Sequence, residues 1–534
     1  MEKGYFLPVL HAHLPYVRHP EHEFFLEENW FFEAVVDCYI PLTRVLMRLR
    51  EEKVRFGITI SLSPTLLEML SDRLLRQRLR RHMERLVVLT EAEVARTYGE
   101  PGLNSVALMY RDKWADTLDV FENEYDGDLI GALRSLSTYP GIEFITTAAT
   151  HAFLPNLMPV PEAVRAQIEG GMLVFEKHMG HRPRGFWLPE CGYCQGLDRF
   201  VREAGGEYFF LEAHGVLHAS PRPMHGIYRP ILCGSGTAAF GRDPFAAERV
   251  WCAQRGYPAD PVYRDFYSDL GFDNDHRHVR EHLIPMLPEG EPSFTGLKYR
   301  RITGAGVSKE IYDPLVARSR AADHAGDFVR ALGSHVSLIH EKYGFTPVIT
   351  APYDAELFGH WWFEGPIWLE EVLRATSARE AAGEGPEVIS MTASEYLRVH
   401  RGELETAEPS MSSWGSGGYS SIWTEPEGGR IAARLLASAR RMGLRARESM
   451  TGGPSKRALD QAMRELMLAQ SSDWMFMINK GAHTGYASER LEEHLRAFDE
   501  LMQAAGNGGP DGKRLHELET NSHFMKDIGA ELYL

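Results

Sequence analysis

The sequence predicts an α/β protein whose parallel sheet closes, or nearly closes, into a barrel. Seven short apolar segments rich in β-branched and aromatic residues recur along the chain, and most are followed by a stretch with helical spacing. Continuous apolar strands that alternate with helices are typical of a parallel sheet covered on both faces. The predicted strands lie at 5–13, 55–64, 141–151, 184–190, 207–214, 345–354 and 387–394.

Two regions depart from this alternation. Between about 215 and 340 the strand pattern gives way to a stretch rich in glycine, proline and aromatic residues, followed by a predicted helix near 313–343. A stretch of that length without sheet pattern predicts a mostly helical insertion over the barrel mouth. From 401 to 534 the pattern is helical, which predicts a C-terminal helical domain after a catalytic barrel at 1–400.

Length, charge and cysteine content limit the class of protein. The 534 residues exceed what one ordinary core accommodates, so a large domain and at least one further domain are expected. The chain has 58 basic and 74 acidic residues and no long basic block, which argues against nucleic-acid partners. It has neither an apolar run long enough to cross a membrane nor a signal-like N-terminus. Five cysteines, an odd number, suit a reducing compartment, and we predict a cytoplasmic protein.

Charged and imidazole side chains cluster where the predicted strands end. In α/β barrels the carboxyl ends of the strands meet on one face, and the chemistry takes place on the loops at that face. We therefore expect these residues to share one site despite their separation in sequence. They are His11, His13, His151, Glu190, His214 and Asp354.

Glu190 and Asp354 are the leading candidates for catalysis. Each ends an apolar strand, and an apolar surrounding shifts the pKa of a carboxyl group. Glycoside cleavage needs two carboxyl groups that flank the scissile bond. Taken alone, either residue could instead be an exposed carboxylate at a strand end.

Aromatic residues near these acids favour a carbohydrate substrate. Sugar rings stack their C–H faces on aromatic side chains while their hydroxyls form hydrogen bonds. Trp361, Trp362, Phe363 and Trp368 follow Asp354 closely. Further aromatic residues lie at Trp251, Tyr257, Tyr263, Trp414 and Trp423, and the last two are in glycine-rich loops. A buried aromatic cluster would explain part of this pattern.

A metal centre is an alternative use of the same residues. In a strand His11 and His13 point the same way, so both could ligate one ion, with His151, His214 and Asp354 completing the shell. Spacing alone leaves this hypothesis and hydrogen bonding to substrate equally open. Cys191 and Cys194 form a C-x-x-C pair, but the chain has no second pair, which favours packing over zinc or redox chemistry.

Four ordered motifs span most of the chain. They are HAHLPY at 11–16, GFWLPE at 185–190, PYDAELFGHWW at 352–362 and SSDWMF at 471–476. Together they resemble the signatures of glycoside hydrolase family 57 and, within it, of the 1,4-α-glucan branching enzymes.

The resemblance implies a fold and a set of roles. The fold would be an incomplete (β/α)7 TIM-like barrel with an inserted, mostly helical region and a helical C-terminal domain that contributes to the substrate cleft. Glu190 would be the nucleophile and Asp354 the acid/base of a retaining double displacement. Substrate-binding roles would fall to His11, His13, His151, Trp251, Trp362, Trp414, Trp423 and Asp473. The family needs no metal, so the resemblance implies no metal and no cofactor.

The implied reaction cleaves an α-1,4 linkage in amylose or a glycogen-type glucan and transfers the chain to a 6-hydroxyl. A tyrosine on a mobile loop favours transfer in the family's branching members, and Tyr228 occupies the matching position by its spacing from GRDP at 241–244. Other activities of the family, 4-α-glucanotransferase and α-amylase, are alternatives. A metal-dependent barrel hydrolase and a catalytically silent glycan-binding protein are alternatives from other classes.

Overall fold

The structure, a computed structural model, describes residues 4–252, 254–273, 294–303, 308–377, 387–448, 454–506 and 511–534. Its strands are β1 (Gly4–Ala12), β2 (Ile58–Leu62), β3 (Ile142–Thr147), β4 (Gly185–Trp187), β5 (Tyr208–Leu211), β6 (Ile231–Leu232), β7 (Ala238–Gly241), β8 (Val348–Asp354), β9 (Val388–Ser390) and β10 (Glu405–Thr406).

Helices cover the strands and form most of the C-terminal region. They are α1 (Glu28–Ala34), α2 (Ile40–Glu51), α3 (Pro64–Ser71), α4 (Arg73–Arg96), α5 (Pro101–Asp119), α6 (Leu129–Leu136), α7 (Pro161–Met179), α8 (Leu197–Glu203), α9 (Ala213–Leu217), α10 (Pro244–Trp251), α11 (Leu270–Asp273), α12 (Pro314–Tyr343), α13 (Gly365–Ala375), α14 (Ala393–His400), α15 (Ser421–Thr424), α16 (Pro426–Glu448), α17 (Pro454–Ala469), α18 (Ser472–Lys480), α19 (Thr484–Gly506) and α20 (Gly512–Asn521).

A curled parallel sheet forms the centre of the molecule and confirms the predicted fold class. Seven strands follow one another in the order β7-β5-β4-β3-β2-β1-β8, each parallel to its neighbour. At the open side of this arc, the N–H of Asp243 after β7 donates to the carbonyl oxygen of Thr350 in β8 (2.8 Å). The sheet is thus a barrel that closes incompletely between β7 and β8.

The region at 215–340 contains sheet as well as helix, which the sequence pattern did not predict. β7 pairs in parallel with β5, and the short β6 pairs antiparallel with β7. β7 has the sequence AAFG, whose small side chains give no strand signal, although all four residues are buried. The predicted strand at 387–394 is the short β9, which pairs with the first three residues of β1. The domain boundary at 400/401 stays a prediction.

The two central strands owe their position to continuous apolar sequence. β1 and β8 are buried along nearly their whole length, as expected for strands covered on both faces. Their parallel register places His11 beside Asp354 at the carboxyl end of the pair. The largest buried apolar cluster runs from the barrel into the C-terminal helices, so the two regions share one core. Within the described ranges no helix is both long enough and apolar enough to span a membrane.

Candidate active site

Glu190 lies just beyond the carboxyl end of β4, on a turn of unusual backbone geometry. Its φ is +60°, and the neighbouring Cys191 has a φ of +48°, both in the left-handed region that non-glycine residues rarely adopt. The carbonyl oxygen of Glu190 accepts a hydrogen bond from the N–H of Trp414 (2.6 Å). The turn aims a carboxyl group that is 20% exposed into the barrel mouth. The surrounding structure holds this geometry against the local backbone preference.

Ser472, at the start of α18, contacts the Glu190 carboxyl group directly. Its hydroxyl donates to Oε1 of Glu190 over 2.9 Å. The same hydroxyl oxygen lies 2.9 Å from Nδ1 of His151, and His151 Nδ1 lies 3.9 Å from Oε1 of Glu190. A residue of the C-terminal region therefore orients the candidate nucleophile.

A chain of hydrogen bonds runs from Ser61 through two histidines to Glu190. Nε2 of His11 and Nε2 of His151 are 3.0 Å apart, and Nδ1 of His11 lies 3.2 Å from the Ser61 hydroxyl. Burial holds the pKa of both imidazoles well below its usual value, so both are neutral. The single hydroxyl proton of Ser472 is donated to Glu190. The Ser472 oxygen must therefore accept a hydrogen bond from Nδ1–H of His151. Nε2 of His151 then accepts from Nε2–H of His11, and Nδ1 of His11 accepts from the Ser61 hydroxyl.

Asp354 ends β8, and its pKa is raised to about 6. Burial is the main cause, and the positive charges of Arg242 and His13 act in the opposite direction. The Arg242 guanidinium lies over the ring of Trp414 (4.6 Å) and pairs with Glu212 (2.6 Å). Burial thus brings the pKa of Asp354 close enough to neutral pH for a fraction of these carboxyl groups to carry a proton there.

Glu190 has an even stronger shift, to a pKa of about 8. Burial contributes most, the negative charges of Asp473 and Asp354 add to it, and the hydrogen bond from Ser472 opposes it. Two raised carboxyl groups facing one cavity share protons as a unit. Between about pH 6 and pH 8 the pair carries one proton, as an acid and a nucleophile acting together require.

His13 and Asp473 form an ion pair beside the carboxyl groups. Nε2 of His13 lies 3.1 Å from Oδ2 of Asp473, and the His13 ring stacks on that of His151 (3.9 Å between centroids). Although burial acts to raise it, the pKa of Asp473 is lowered to about 2, chiefly by the charge and hydrogen bond of His13. Burial lowers and Asp473 raises the pKa of His13, with a net increase. This pair places one positive and one negative charge at the mouth.

Sequence models of known families match both ends of the chain. That of glycosyl hydrolase family 57 matches residues 8–243, and that of the C-terminal region of 1,4-alpha-glucan branching enzyme matches residues 434–533. A 1,4-alpha-glucan branching enzyme of Thermococcus kodakarensis is 35% identical over 576 residues, which cover 100% of this chain and 79% of that protein. The chain belongs to glycosyl hydrolase family 57.

Solved structures of two glucan-active enzymes superpose on nearly the whole chain. An alpha-amylase of Thermotoga maritima, AmyC, has a TM-score of 0.91 and 38% identity, and the match covers 99% of each chain. A branching enzyme from Pyrococcus horikoshii has a TM-score of 0.87 and 31% identity, covering 100% of this chain and 97% of that one. The family resemblance predicted from the four motifs is confirmed.

The aromatic residues predicted to bind substrate in this family 57 chain lie in different surroundings. Trp414 and Trp251 are half-buried and their rings meet at 6.0 Å, with Trp414 also 5.4 Å from the Trp187 ring. Trp423 is buried and stacks on Phe153 (4.5 Å). Only Trp414 is tied directly to a candidate catalytic residue, through its backbone bond to Glu190.

Trp362 lies in the core of the family 57 barrel rather than in the mouth. It is 2% exposed and packs against Tyr263, Phe358 and Trp368, with ring centroids 5.5 to 6.2 Å away. Its neighbour Trp361 is 49% exposed. The structure therefore presents Trp361, and not Trp362, to solvent.

Tyr228 lies at the opposite end of β8 from Asp354. Its carbonyl oxygen accepts from the N–H of Val348, the first residue of that strand (2.9 Å), and its ring contacts His335 of α12 (5.7 Å). A seven-residue strand separates these ends by about 20 Å. This placement does not bring Tyr228 to the carboxyl groups, and it gives no support to a role in transfer.

The histidines of the family 57 site differ from the set predicted for a metal. His13, His151 and Asp473 offer possible ligand atoms that all lie within 4.8 Å of one another. His214 instead donates from Nε2 to the carbonyl oxygen of Gly418 (2.7 Å). His11 is bonded to Ser61 and His151.

The structure adds site residues that the motifs did not single out. Besides Ser472 and Ser61, Glu356 lies two residues after Asp354, and its pKa is raised to about 7, first by burial and then by the Asp354 charge. Its carboxylate accepts from the N–H of His13 (3.1 Å) and from the Tyr39 hydroxyl. Glu356 lies within the PYDAELFGHWW motif, so its charge was visible in sequence, but serine hydroxyls carry no comparable signal.

Proposed function

We propose that this family 57 protein is a 1,4-α-glucan branching enzyme. The observation that carries the proposal is the contribution of the C-terminal region. The segment that matches the branching-enzyme C-terminal model, 434–533, supplies Ser472 and Asp473, which contact Glu190 and His13. The full-length similarity to branching enzymes from two archaea supports the same activity.

In the first step Asp354 donates its proton to the glycosidic oxygen as Glu190 attacks the anomeric carbon. The C–O bond to the leaving glucan breaks, and a covalent glycosyl-enzyme with inverted configuration forms at Glu190. Ser472 holds the attacking carboxylate in place through its hydrogen bond. The apolar strand before Glu190 and the ring of Trp414 keep water away from the reacting atoms.

In the second step Asp354, now ionised, takes the proton from the 6-hydroxyl of an acceptor glucan. The acceptor oxygen attacks the anomeric carbon and the bond to Glu190 breaks, which restores the α configuration. Transfer rather than hydrolysis requires that an acceptor chain occupy the site when the leaving chain has gone. Asp354 would therefore face both the leaving and the accepting glucan.

The residues around this pair are proposed to hold the sugar at the cleavage point. His11, His13, His151 and Asp473 offer polar atoms to its hydroxyls, and Trp251, Trp414 and Trp423 offer aromatic surface. This proposal does not extend to Trp362 or Tyr228, because one is buried in the core and the other lies at the far end of β8.

An α-amylase is the second candidate function. It is favoured by the similarity to the Thermotoga maritima amylase, which is 38% identical over nearly its whole length. The two reactions share the glycosyl-enzyme and differ only in whether water or a glucan hydroxyl attacks it. The carboxyl pair supports both equally.

The test is incubation of the purified protein with amylose, followed by proton NMR of the products. We expect new α-1,6 signals with few new reducing ends, and Glu190→Gln and Asp354→Asn should each abolish them. Many reducing ends without α-1,6 signals would instead establish the amylase. No change in amylose would contradict both candidates.

A chelator tests the metal alternative in the same assay. The proposed steps use carboxyl groups alone, so activity should be unchanged by chelation, whereas a metal-dependent hydrolase would lose it. Loss of activity that added zinc restores would place an ion among His13, His151 and Asp473.

All five cysteines are free, which fits a reducing compartment, and we propose a cytoplasmic location.

A further inference from the structure

Three aromatic side chains form a surface cluster beside the loop that follows β8. Trp361 is 49% exposed and Tyr267 is 75% exposed, while Phe266 between them is half-buried. The rings of Trp361 and Phe266 stack at 4.0 Å with 22° between their planes, and Tyr267 stands edge-on to Phe266 at 5.3 Å. We call these three residues the aromatic platform.

The platform is held rigidly by buried polar contacts. The Arg264 side chain donates to the carbonyl oxygen of His360 (2.7 Å), and the Arg264 N–H donates to the Glu364 carboxylate (3.2 Å). These hydrogen bonds join Arg264, two residues before Phe266, to the residues on either side of Trp361 in the loop after β8. Gly359 has a φ of +112°, and a Cβ there would lie 1.9 Å from the carbonyl oxygen of Asp37, so the loop fits tightly against the backbone of Asp37, just after α1. A fixed surface binds a flexible chain at a lower entropic cost than a mobile one.

Polar groups border the aromatic platform. His360 contacts both Phe266 (5.2 Å) and Trp361 (6.0 Å), and the Lys298 ammonium lies 5.1 Å from the centre of the Phe266 ring. Glu33 of α1 is half-buried, and its pKa is raised to about 7 by burial, with His360 and Lys298 opposing the rise. Glu33 has no hydrogen-bond partner among the residues that the structure describes. Aromatic faces bordered by carboxyl and imidazole groups suit a sugar, which has both apolar faces and hydroxyls.

The platform lies on the Asp354 side of the site. Trp361 belongs to the loop that directly follows β8, and its N–H donates to the carbonyl oxygen of Glu356, two residues after Asp354 (3.2 Å). This hydrogen bond and the two residues of chain between Asp354 and Glu356 place the Trp361 backbone on the order of 10 Å from the Asp354 backbone. In a retaining mechanism the acid/base faces the leaving group and then the acceptor. A sugar-binding surface on this side therefore contacts the leaving glucan in the first step and the acceptor in the second, and not the part of the donor that becomes bound to Glu190.

We propose that Phe266, Tyr267 and Trp361 form a subsite that binds the acceptor α-glucan chain during transfer. This inference rests on the proposed glycosyl-enzyme chemistry and adds the position of the second substrate. The stacked Trp361 offers its free ring face to one glucose unit, and Tyr267 extends the surface to another. Occupancy of the subsite keeps a glucan hydroxyl, rather than water, near Asp354.

The test uses α-glucosyl fluoride as donor, with and without added maltoheptaose as acceptor. Fluoride is a small leaving group that needs no sugar-binding surface on the Asp354 side. In Trp361→Ala, fluoride release to water should stay within twofold of the wild-type rate. The maltoheptaose concentration that gives half-maximal transfer should rise about tenfold, as expected for the loss of one stacking contact.

Two further variants control for a general effect of removing an aromatic side chain. Trp361→Phe retains a ring and should restore most of the acceptor affinity. Tyr98, just beyond α4, is 85% exposed and remote in sequence from the site, and Tyr98→Ala should transfer as the wild type does. Circular dichroism of each variant checks that the fold is retained.

The outcomes separate this inference from the proposed function. Unchanged acceptor dependence in both Trp361→Ala and Tyr267→Ala would overturn the subsite, and so would an equal loss of fluoride release and transfer. If the wild type transfers glucose but makes no α-1,6 linkage, the branching proposal fails while the acceptor test remains valid. If the wild type only hydrolyses, even with saturating maltoheptaose, both fail.

Discussion

At the scale of single residues, the Glu190 and Asp354 carboxyl groups share one proton over a defined pH range. Their pKa values of about 8 and about 6 come mainly from burial, so neither group titrates in its ordinary range. The active form has Glu190 ionised and Asp354 protonated, which is the less populated of the two one-proton forms because Glu190 has the higher pKa. That form is lost when a second proton binds the pair and when the last proton leaves it.

We therefore expect a bell-shaped dependence of kcat/KM on pH for amylose. The rate should fall below about pH 6, as the pair takes up a second proton, and above about pH 8, as it loses the remaining one. In Asp354→Asn assayed with α-glucosyl fluoride, which needs no acid, the fall at high pH should disappear. A basic limb that persists in this variant would assign it to another group.

Ser472 offers a second prediction at this scale. Its hydroxyl donates to Glu190 and lowers the pKa of that carboxyl group against the effect of burial. Ser472→Ala should therefore raise the Glu190 pKa, move the basic limb of the pH profile upward and lower kcat several-fold, because fewer molecules then have Glu190 ionised and Asp354 protonated. Ser472→Thr keeps the hydroxyl and is the matched control. A basic limb that does not move in Ser472→Ala would show that the bond is absent in the working enzyme.

Three carboxylates of the candidate site could be picked out from the sequence, whereas its serines could not. Glu190, Asp354 and Asp473 stand out because a carboxylate at the end of an apolar strand, or within a family motif, is unusual. Ser472 lies beside Asp473 in the same motif, yet a serine there has many ordinary explanations. Its role depends on the placement of α18 against β4, which no local pattern encodes.

At the scale of elements, the loop after β8 places two adjacent tryptophans in different surroundings. Trp362 faces the aromatic core with Tyr263 and Trp368, whereas Trp361 stacks on the surface residue Phe266. In the sequence motif nothing distinguishes Trp361 from Trp362. Only the turn at Gly359 decides which ring is buried.

We expect Trp362→Ala to lower the free energy of unfolding by about 3–5 kcal/mol, because it leaves a large cavity in the core. Trp361→Ala should cost less than about 1 kcal/mol, since it removes a side chain that is largely in water. Urea denaturation of both variants measures the difference. Equal costs would mean that both rings are buried, and would remove the exposed face on which the acceptor subsite depends.

The sequence pattern did not predict strand β7, because that strand is short and weakly apolar. β1 and β8 carry long apolar runs and were predictable, as was the meeting of their carboxyl ends. β7 is four residues long and half alanine, so its strand conformation is imposed by pairing with β5 rather than by its own preference. Short strands that close a sheet depend on their neighbours.

At the scale of the whole molecule, the C-terminal helices complete both the core and the site. The Thr150 hydroxyl donates to the backbone carbonyl oxygen of Met467 (2.5 Å), and the Gln167 side-chain amide donates to Oε1 of Gln470 (2.8 Å), all in buried positions. Removing the helices would expose the apolar surface of the barrel and leave these polar groups without partners. The barrel and the helices therefore form one folding unit.

A fragment of residues 1–400 should accordingly fail to fold cooperatively. Thermal circular dichroism should show no sharp transition, and the fragment should not convert amylose. The full-length variant Ser472→Ala, which keeps the core, is the control for loss of a single site contact. A cooperative transition in the fragment close to that of the full chain would show that the barrel is an independent domain.

Sequence was sufficient at this scale for the architecture but not for the shared core. The parallel, barrel-like sheet and the presence of a helical C-terminal region follow from hydrophobic periodicity. The bonds between Thr150 and Met467 and between Gln167 and Gln470 join positions that are some 300 residues apart. Such pairs appear only when the chain is folded.

The left-handed turn at Glu190 also bears on how this protein could be adapted to heat. His151, Glu190 and Cys191 have φ values of +55°, +60° and +48°, which glycine would adopt more easily. Each such residue costs on the order of 1 kcal/mol in backbone strain. A selection for melting temperature alone would favour glycine at these three positions and would remove the proposed nucleophile. Selection for heat resistance must therefore be coupled to turnover, because at these positions rigidity and catalysis demand different residues.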